Sequence, residues 1–165
     1  DQYNRHLLTA ELHLHKGYHR SQGLLFRKDD SRFSLIERNF KETIKQLMGD
    51  QNVRMINRNL GSGTRVLLDR LLANQQPSGF FQEAKSHNSV AAAIAQKRAD
   101  WGIAIRSVAE DSGLGFSQMQ DEEYDFIIPQ KRLNRPEVRQ FINMLQEPNI
   151  QTQLNNLGLT VSAPA

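Results

Sequence analysis

The chain reads as an α/β protein, on three observations. Between Val53 and Ile105 short apolar strand candidates alternate with helix candidates, the β-α-β-α order that builds a largely parallel sheet covered by helices. Hydrophobic residues make up 38% of the 165 positions and charged residues 24%, so the chain can bury one core or two small lobes and lacks the profile of a disordered polymer. Glycine and proline punctuate the boundaries of the periodic segments, at Gly49, Pro77, Gly79, Gly113, Pro136, Pro148 and Gly158.

In chain order, Leu7 to Leu14 and Gln22 to Arg27 read as two short strands around a polar loop from Lys16 to Ser21. Leu24, Leu25 and Phe26 form a continuous apolar run, the pattern of a strand buried on both faces. From Ser34 to Leu47, Leu35, Ile36, Phe40, Ile44 and Leu47 mark a helical face with an interruption near Asn39. Val53 to Asn57 is a strand, and after a glycine-rich turn a helix runs from about Thr64 to Asn74. Gln75 to Gly79 is a turn. Ser86-His87-Asn88-Ser89 then opens a helix from Val90 to Lys97, rich in alanine and so able to pack closely on a sheet. Gly102 to Ile105 is a buried strand, and Ser107 to Ser112 a single helical turn. Phe116 to Met119 and Tyr124 to Ile128 are two further strands divided by the acidic turn Asp121-Glu122-Glu123. Pro136 to Leu145 and Pro148 to Asn156 are helices that begin on proline, whose fixed φ suits a first helical position, and Gly158 stops the second.

Composition excludes several classes. No apolar stretch approaches the roughly 20 residues that would span a bilayer. There is no cysteine, which removes disulfides and thiolate metal sites and is compatible with a reducing, cytoplasmic compartment. Four of the five histidines, His6, His13, His15 and His19, crowd the first nineteen residues, but no carboxylate pattern completes a metal site, and none is assigned. The net charge of +3 comes from scattered basic residues accompanied by acids, with no basic helix or aromatic-basic stripe. Direct nucleic-acid binding by this chain is disfavoured, whereas a small anion would be attracted. No signal peptide is visible, and the polar opening at Asp1 reads like the middle of a longer polypeptide.

Asn59-Leu60-Gly61-Ser62-Gly63-Thr64-Arg65 is the run with the most chemistry in it. It joins a strand to an apolar helix, and a helix start leaves backbone N–H groups without partners beside roughly half a unit of positive charge. Ser62 and Thr64 add hydroxyls, Gly63 lets a ligand approach the main chain, and Arg65 adds a fork of donors suited to an oxyanion. A plain helix cap accounts for the serine and the glycines equally well. Arg65 is the exception, because a cation in the first turn opposes the helix dipole unless an anion or a carboxylate offsets it. No Gly-Lys-Ser/Thr follows, so this is not a Walker-type loop, and the three-glycine dinucleotide fingerprint is missing.

Ser86-His87-Asn88-Ser89 supplies a second helix start, again readable as an ordinary cap. Arg106 lies just beyond the strand ending at Ile105, outside the carboxyl end, where open α/β sheets bind ligands. Tyr124 is either a cleft residue or part of a strand. His87 could be considered as a general base, but no nucleophile or carboxylate has a spacing that completes a catalytic set. The ligand-binding candidates are therefore Ser62, Gly63, Thr64, Arg65, His87, Ser89, Arg106 and Tyr124; no catalytic residue and no resident cofactor is assigned.

Gly61-Ser62-Gly63-Thr64-Arg65 with Leu67-Leu68-Asp69, then His87 to Ala95, then Arg98 to Arg106, and finally Tyr124 to Pro129 and Leu154 to Gly158, together resemble the periplasmic-binding-protein-like domain related to molybdate- and tungstate-binding proteins. That domain occurs fused to molybdopterin-biosynthesis proteins or behind helix-turn-helix regulators. The resemblance spans most of residues 22 to 159 and implies a type II periplasmic-binding fold of two α/β lobes with a ligand cleft between them. One lobe would comprise 1–28 and 123–165, including the crossover strands, and the other 29–122. The first lobe's opening strand and helix would lie upstream of Asp1. The implied function is binding and sensing of an oxyanion such as molybdate or tungstate, or of a molybdenum-cofactor precursor, within a larger regulatory or biosynthetic protein. The alternatives are an enzyme acting on a molybdopterin intermediate and a structural or homodimerising module without a ligand.

Overall fold

The structure, a computed structural model, describes residues 9–161. Its elements are β1 (Leu12–Phe26), a 3-10 turn (Ser31–Phe33), α1 (Phe40–Gly49), β2 (Met55–Arg58), α2 (Gly63–Leu72), β3 (Glu83–Ala84), α3 (His87–Ala95), β4 (Trp101–Ile105), α4 (Arg106–Asp111), β5 (Gly115–Pro129), a second 3-10 turn (Gln130–Arg132), α5 (Pro136–Met144), α6 (Pro148–Asn156) and β6 (Leu159–Val161). The strands form a six-stranded sheet of order β3-β2-β4-β1-β5, with β6 pairing β1. The chain divides into two compact units. One is Ser21–Gln120, and the other takes the described residues before Ser21 and after Gln120.

The unit Ser21–Gln120 is a sheet covered on both faces, and the alternation of its strands shows why. Leu24, Met55, Trp101 and Ile103 join Ile44 and Leu47 of α1 and Leu68 and Leu72 of α2 in one buried cluster. Their neighbours Leu25, Ile56 and Ala104 join Val90, Ala91, Ala93 and Ile94 of α3 and Ala109 of α4 in another. Successive side chains of a strand point to opposite faces, so a continuous apolar run serves two layers at once. Each fully buried leucine or isoleucine contributes roughly 1.5–3 kcal/mol relative to an exposed one.

A partly buried ion cluster centred on Asp100 closes the amino-terminal end of β4. Asp100 accepts hydrogen bonds from the Arg27 guanidinium at 2.9 Å, the Arg32 guanidinium at 2.8 Å and the Arg54 amide at 2.8 Å. Arg27 also donates to the carbonyls of Ile94 and Ala99, so it ties the end of α3 to the sheet.

The sheet is largely parallel only in part. β2 pairs parallel with β3 and β4, but β1 runs antiparallel to β4 and to β6. Nor is β1 two strands about a loop. It is one fifteen-residue strand, because the polar segment from Lys16 to Ser21 still has strand partners, Tyr18 opposite Val161 and Arg20 opposite Leu159. The expected acidic turn at 121–123 is likewise strand, in the middle of β5. Its charge has an internal partner, as Glu122 accepts a hydrogen bond from Arg20. Gly17 is needed here, since a Cβ on it would collide with the carbonyl of Tyr124 and the ring of Phe126. His6 and Leu7 lie outside the described residues.

The other unit has less interior. Tyr18 and Tyr124 stack with ring centroids 5.1 Å apart, and Phe126 meets Phe141 of α5 edge to face at 4.9 Å. Neither α5 nor α6 contains a buried residue. No helix among the described residues is long and apolar enough to cross a membrane, and no group of three or more His, Cys, Asp or Glu among them is gathered to hold a metal.

Candidate functional site

The parallel pairing of β2 with β3 puts Asn57 opposite Glu83 and Arg58 opposite Ala84. Both strands therefore end at the same edge of the sheet, and a helix starts shortly after each. β4 runs parallel to β2 and delivers Ile105 and Arg106 from its own carboxyl end. Gln22 pairs with Ile105, so β1 enters the unit at this edge too.

At the start of α2, Ser62 is the N-cap. Its hydroxyl oxygen accepts from the Arg65 amide at 3.2 Å and its hydroxyl donates to the Asn59 carbonyl at 3.0 Å. Gly63 and Thr64 occupy the first two helical positions, whose N–H groups a helix leaves without acceptors of its own. Thr64 is 3% exposed, and its hydroxyl oxygen lies 3.4 Å from Nε2 of Gln22. At the start of α3 the cap is Ser86, which accepts from the Ser89 amide at 3.1 Å, with the two serine hydroxyls 2.8 Å apart. The helix begins at His87, three residues before the expected Val90, so His87 and Ser89 lie in its first turn.

Arg65 is turned inward. Its Nε donates to Asp69 at 2.8 Å and its NH1 to Glu83 at 2.9 Å and to the Arg58 carbonyl at 3.0 Å, while the guanidinium carbon stands 5.2 Å from the centre of the Phe80 ring. Burial opposes the charge, yet the hydrogen bonds to Asp69 and Glu83 outweigh it and hold the group above its ordinary pKa. The cation that seemed out of place in the first turn is thus offset by two carboxylates of the chain itself.

Arg58 is a neighbour of both helix starts that the sequence reading passed over. It is 7% exposed, its Nε donates to the Ala84 carbonyl at 3.2 Å, and its NH1 lies 3.1 Å from Nδ1 of His87. One buried guanidinium thereby links the end of β2 to the start of α3. Gln22 and Glu83 were passed over as well. The sequence offered little signal for Arg58, which stands between Asn57 and Asn59 at a polar strand end and belongs to a residue type rarely buried unless paired. Arg106 donates to Gln118 at 2.7 Å and stacks 4.5 Å above the Phe116 ring. Tyr124 belongs to the other unit, where it stacks on Tyr18 and lies beneath Arg20. Within the Ser21–Gln120 unit, then, the structure brings Ser62, Gly63, Thr64, His87, Ser89 and Arg106 to strand ends at one sheet edge.

Residues 2–146 match the PBP superfamily domain, and the chain belongs to that family. It is a periplasmic-binding-protein-like α/β domain of type II, and the resemblance seen in its motifs holds at the level of the family. The uncharacterized protein YvgK of Bacillus subtilis (strain 168) is 29% identical over 112 residues, which cover 65% of this chain and 36% of YvgK, so the chain spans about a third of that relative's length. Among solved structures, an ABC-type phosphate transport receptor from Vibrio cholerae superposes with a TM-score of 0.59 at 13% identity, covering 96% of this chain and 76% of the receptor. The tungstate ABC transporter from Geobacter sulfurreducens gives a TM-score of 0.61 at 16% identity, covering 87% and 67%. These structures share the fold with this chain.

Proposed function

We propose that the chain is the small-oxyanion binding and sensing domain of a larger protein. The observation that carries this reading is the pair of serine-capped helix starts, α2 and α3, that follow the neighbouring parallel strands β2 and β3 at one sheet edge. Two helix ends offer free N–H groups and the positive ends of two dipoles, which suit an oxyanion without a metal. Ser62, Gly63, Thr64 and Ser89 would contact the anion. Arg58, buried and hydrogen-bonded, would raise the potential at this edge and hold the α3 start, while Arg65, offset by Asp69 and Glu83, would hold the α2 start in place; Arg106 would lie farther out. The phosphate and tungstate proteins among the structural relatives support the ligand class.

His87 is assigned to holding the α3 start through Arg58, and the chain is assigned no catalysis. Binding would act by favouring one conformation of the domain over another, and only to the extent that the anion prefers one of them. A fused DNA-binding or molybdopterin-biosynthesis domain in the cytoplasm would receive that signal, without direct nucleic-acid contact by this chain.

Calorimetric titration with phosphate, sulfate, molybdate and tungstate tests this function. Ser89→Asp is the informative variant, because a carboxylate in the first turn of α3 favours the helix and repels an anion. Binding of at least one anion, lost or weakened more than tenfold in Ser89→Asp with an unchanged melting temperature, is expected. No heat with any of the four overturns the proposal.

A further inference from the structure

The α2 start offers backbone donors at Gly63 and Thr64, and two buried side-chain oxygens near it, Asn59 Oδ1 and Gln22 Oε1, have no hydrogen-bond partner. Gln22 is 1% exposed, and its Nε2 is directed to the Thr64 hydroxyl oxygen at 3.4 Å. Its Oε1 is buried without a hydrogen-bond partner. A buried carbonyl oxygen left unpaired is costly, and a partner that arrives with a ligand is one physical reason for a protein to retain it. Thr64 is the second residue of α2, so the amide that contacts it lies beside the free N–H groups of that helix start.

We propose that Gln22 selects an anion that brings its own O–H, with inorganic hydrogen phosphate as the simplest case, over the fully deprotonated sulfate, molybdate and tungstate. The inference rests on the anion-site reading above and narrows its ligand. Against a bare oxyanion, Oε1 would oppose lone pair to lone pair and stay unpaired. Against a protonated one it accepts the O–H while the helix start donates to the remaining oxygens. Specificity of this kind comes from leaving the wrong ligand with an unpaired buried group. The opposite amide orientation would give Oε1 to the Thr64 hydroxyl and direct Nε2 outward as one more donor, which would favour no protonated species.

The test uses the whole chain at neutral pH with each of the four inorganic anions, in wild type and in Gln22→Leu. Wild type should bind phosphate at least about tenfold more tightly than sulfate, molybdate or tungstate. Gln22→Leu should lose that preference by weakening phosphate alone, and its anion-free melting temperature should change little, since the substitution removes an unpaired polar atom together with the long 3.4 Å contact to Thr64. Equal affinity for all four anions in wild type overturns the proposal, assigns the opposite amide orientation and leaves the anion site intact. Retention of the preference in Gln22→Leu also overturns it. If the variant does not fold, the wild-type series decides by itself. No binding of any anion overturns the site and the inference together.

Discussion

At the scale of single residues, the side chains that matter most are charged and turned inward. Asp100 is the clearest case. Burial pushes its carboxyl upward, but hydrogen bonds from Arg27, the Arg54 amide and Arg32 outweigh this and hold it below the usual range. Asp30 is lowered chiefly by its hydrogen bonds with Arg32. A carboxylate whose folded pKa is depressed binds fewer protons in the folded state than in the unfolded one, so stability rises with pH through that interval. The contribution is complete above the unfolded value of about 4 and is lost as the pH falls below it toward the folded value. Urea midpoints should accordingly fall between pH 5 and about pH 3, and Asp100→Asn should flatten that dependence while costing roughly 2–4 kcal/mol at pH 7. A variant with an unaltered acid limb would show that the cluster carries no such linkage. Arg65→Ala has a different expectation. Asp69 and Glu83 are substantially exposed, at 47% and 40%, and can return to water. The Arg58 carbonyl loses a buried donor, so a loss of about 1–2 kcal/mol in denaturant titration is expected.

Among elements, the strand β4 and the helix α3 fit together with almost no spare room. A Cβ on Gly102 would stand 2.7 Å from Ile56 Cγ2, 2.9 Å from the Ile56 carbonyl oxygen and 2.9 Å from Val90 Cγ1. The alanines of α3 allow this approach from the helix side and Gly102 from the sheet side. Gly102→Val should therefore cost about 1–3 kcal/mol or more through overpacking, read as a lowered melting temperature. Elements were legible in the sequence to very different degrees. The helix α2 and the strand β2 could be read directly, because an apolar period and a glycine turn are local signals. The strands β1 and β5 could not be read as continuous. Lys16 to Ser21 and Asp121 to Glu123 are polar, and their strand state depends on partners distant in sequence, including Val161, Leu159 and the Arg20–Glu122 pair. Parallel and antiparallel pairing was equally illegible for β1, whose apolar run is the same in either direction.

For the whole molecule, the two units differ in how much they bury. Both hydrophobic clusters lie in the Ser21–Gln120 unit, whereas α5 and α6 bury no residue. Local opening costs least where few apolar contacts are lost. Native-state hydrogen exchange should show the amides of α5 and α6 exchanging at least tenfold faster than those of β4, α2 and α3. Uniform protection across both units would contradict that. The sequence alone determined the α/β class, the family and the two polar segments that open α2 and α3, because these depend on local periodicity and on short motifs, although it set the start of α3 three residues late. The tertiary structure decided that Arg65 faces inward to Asp69 and Glu83, that Arg58 joins β2 to α3, and that Gln22 lies beside Thr64 with one unpaired oxygen. Those pairings join residues from 4 to 42 positions apart in the chain. Burial and strand register bring the distant ones together, and neither quantity exists until the sheet has formed.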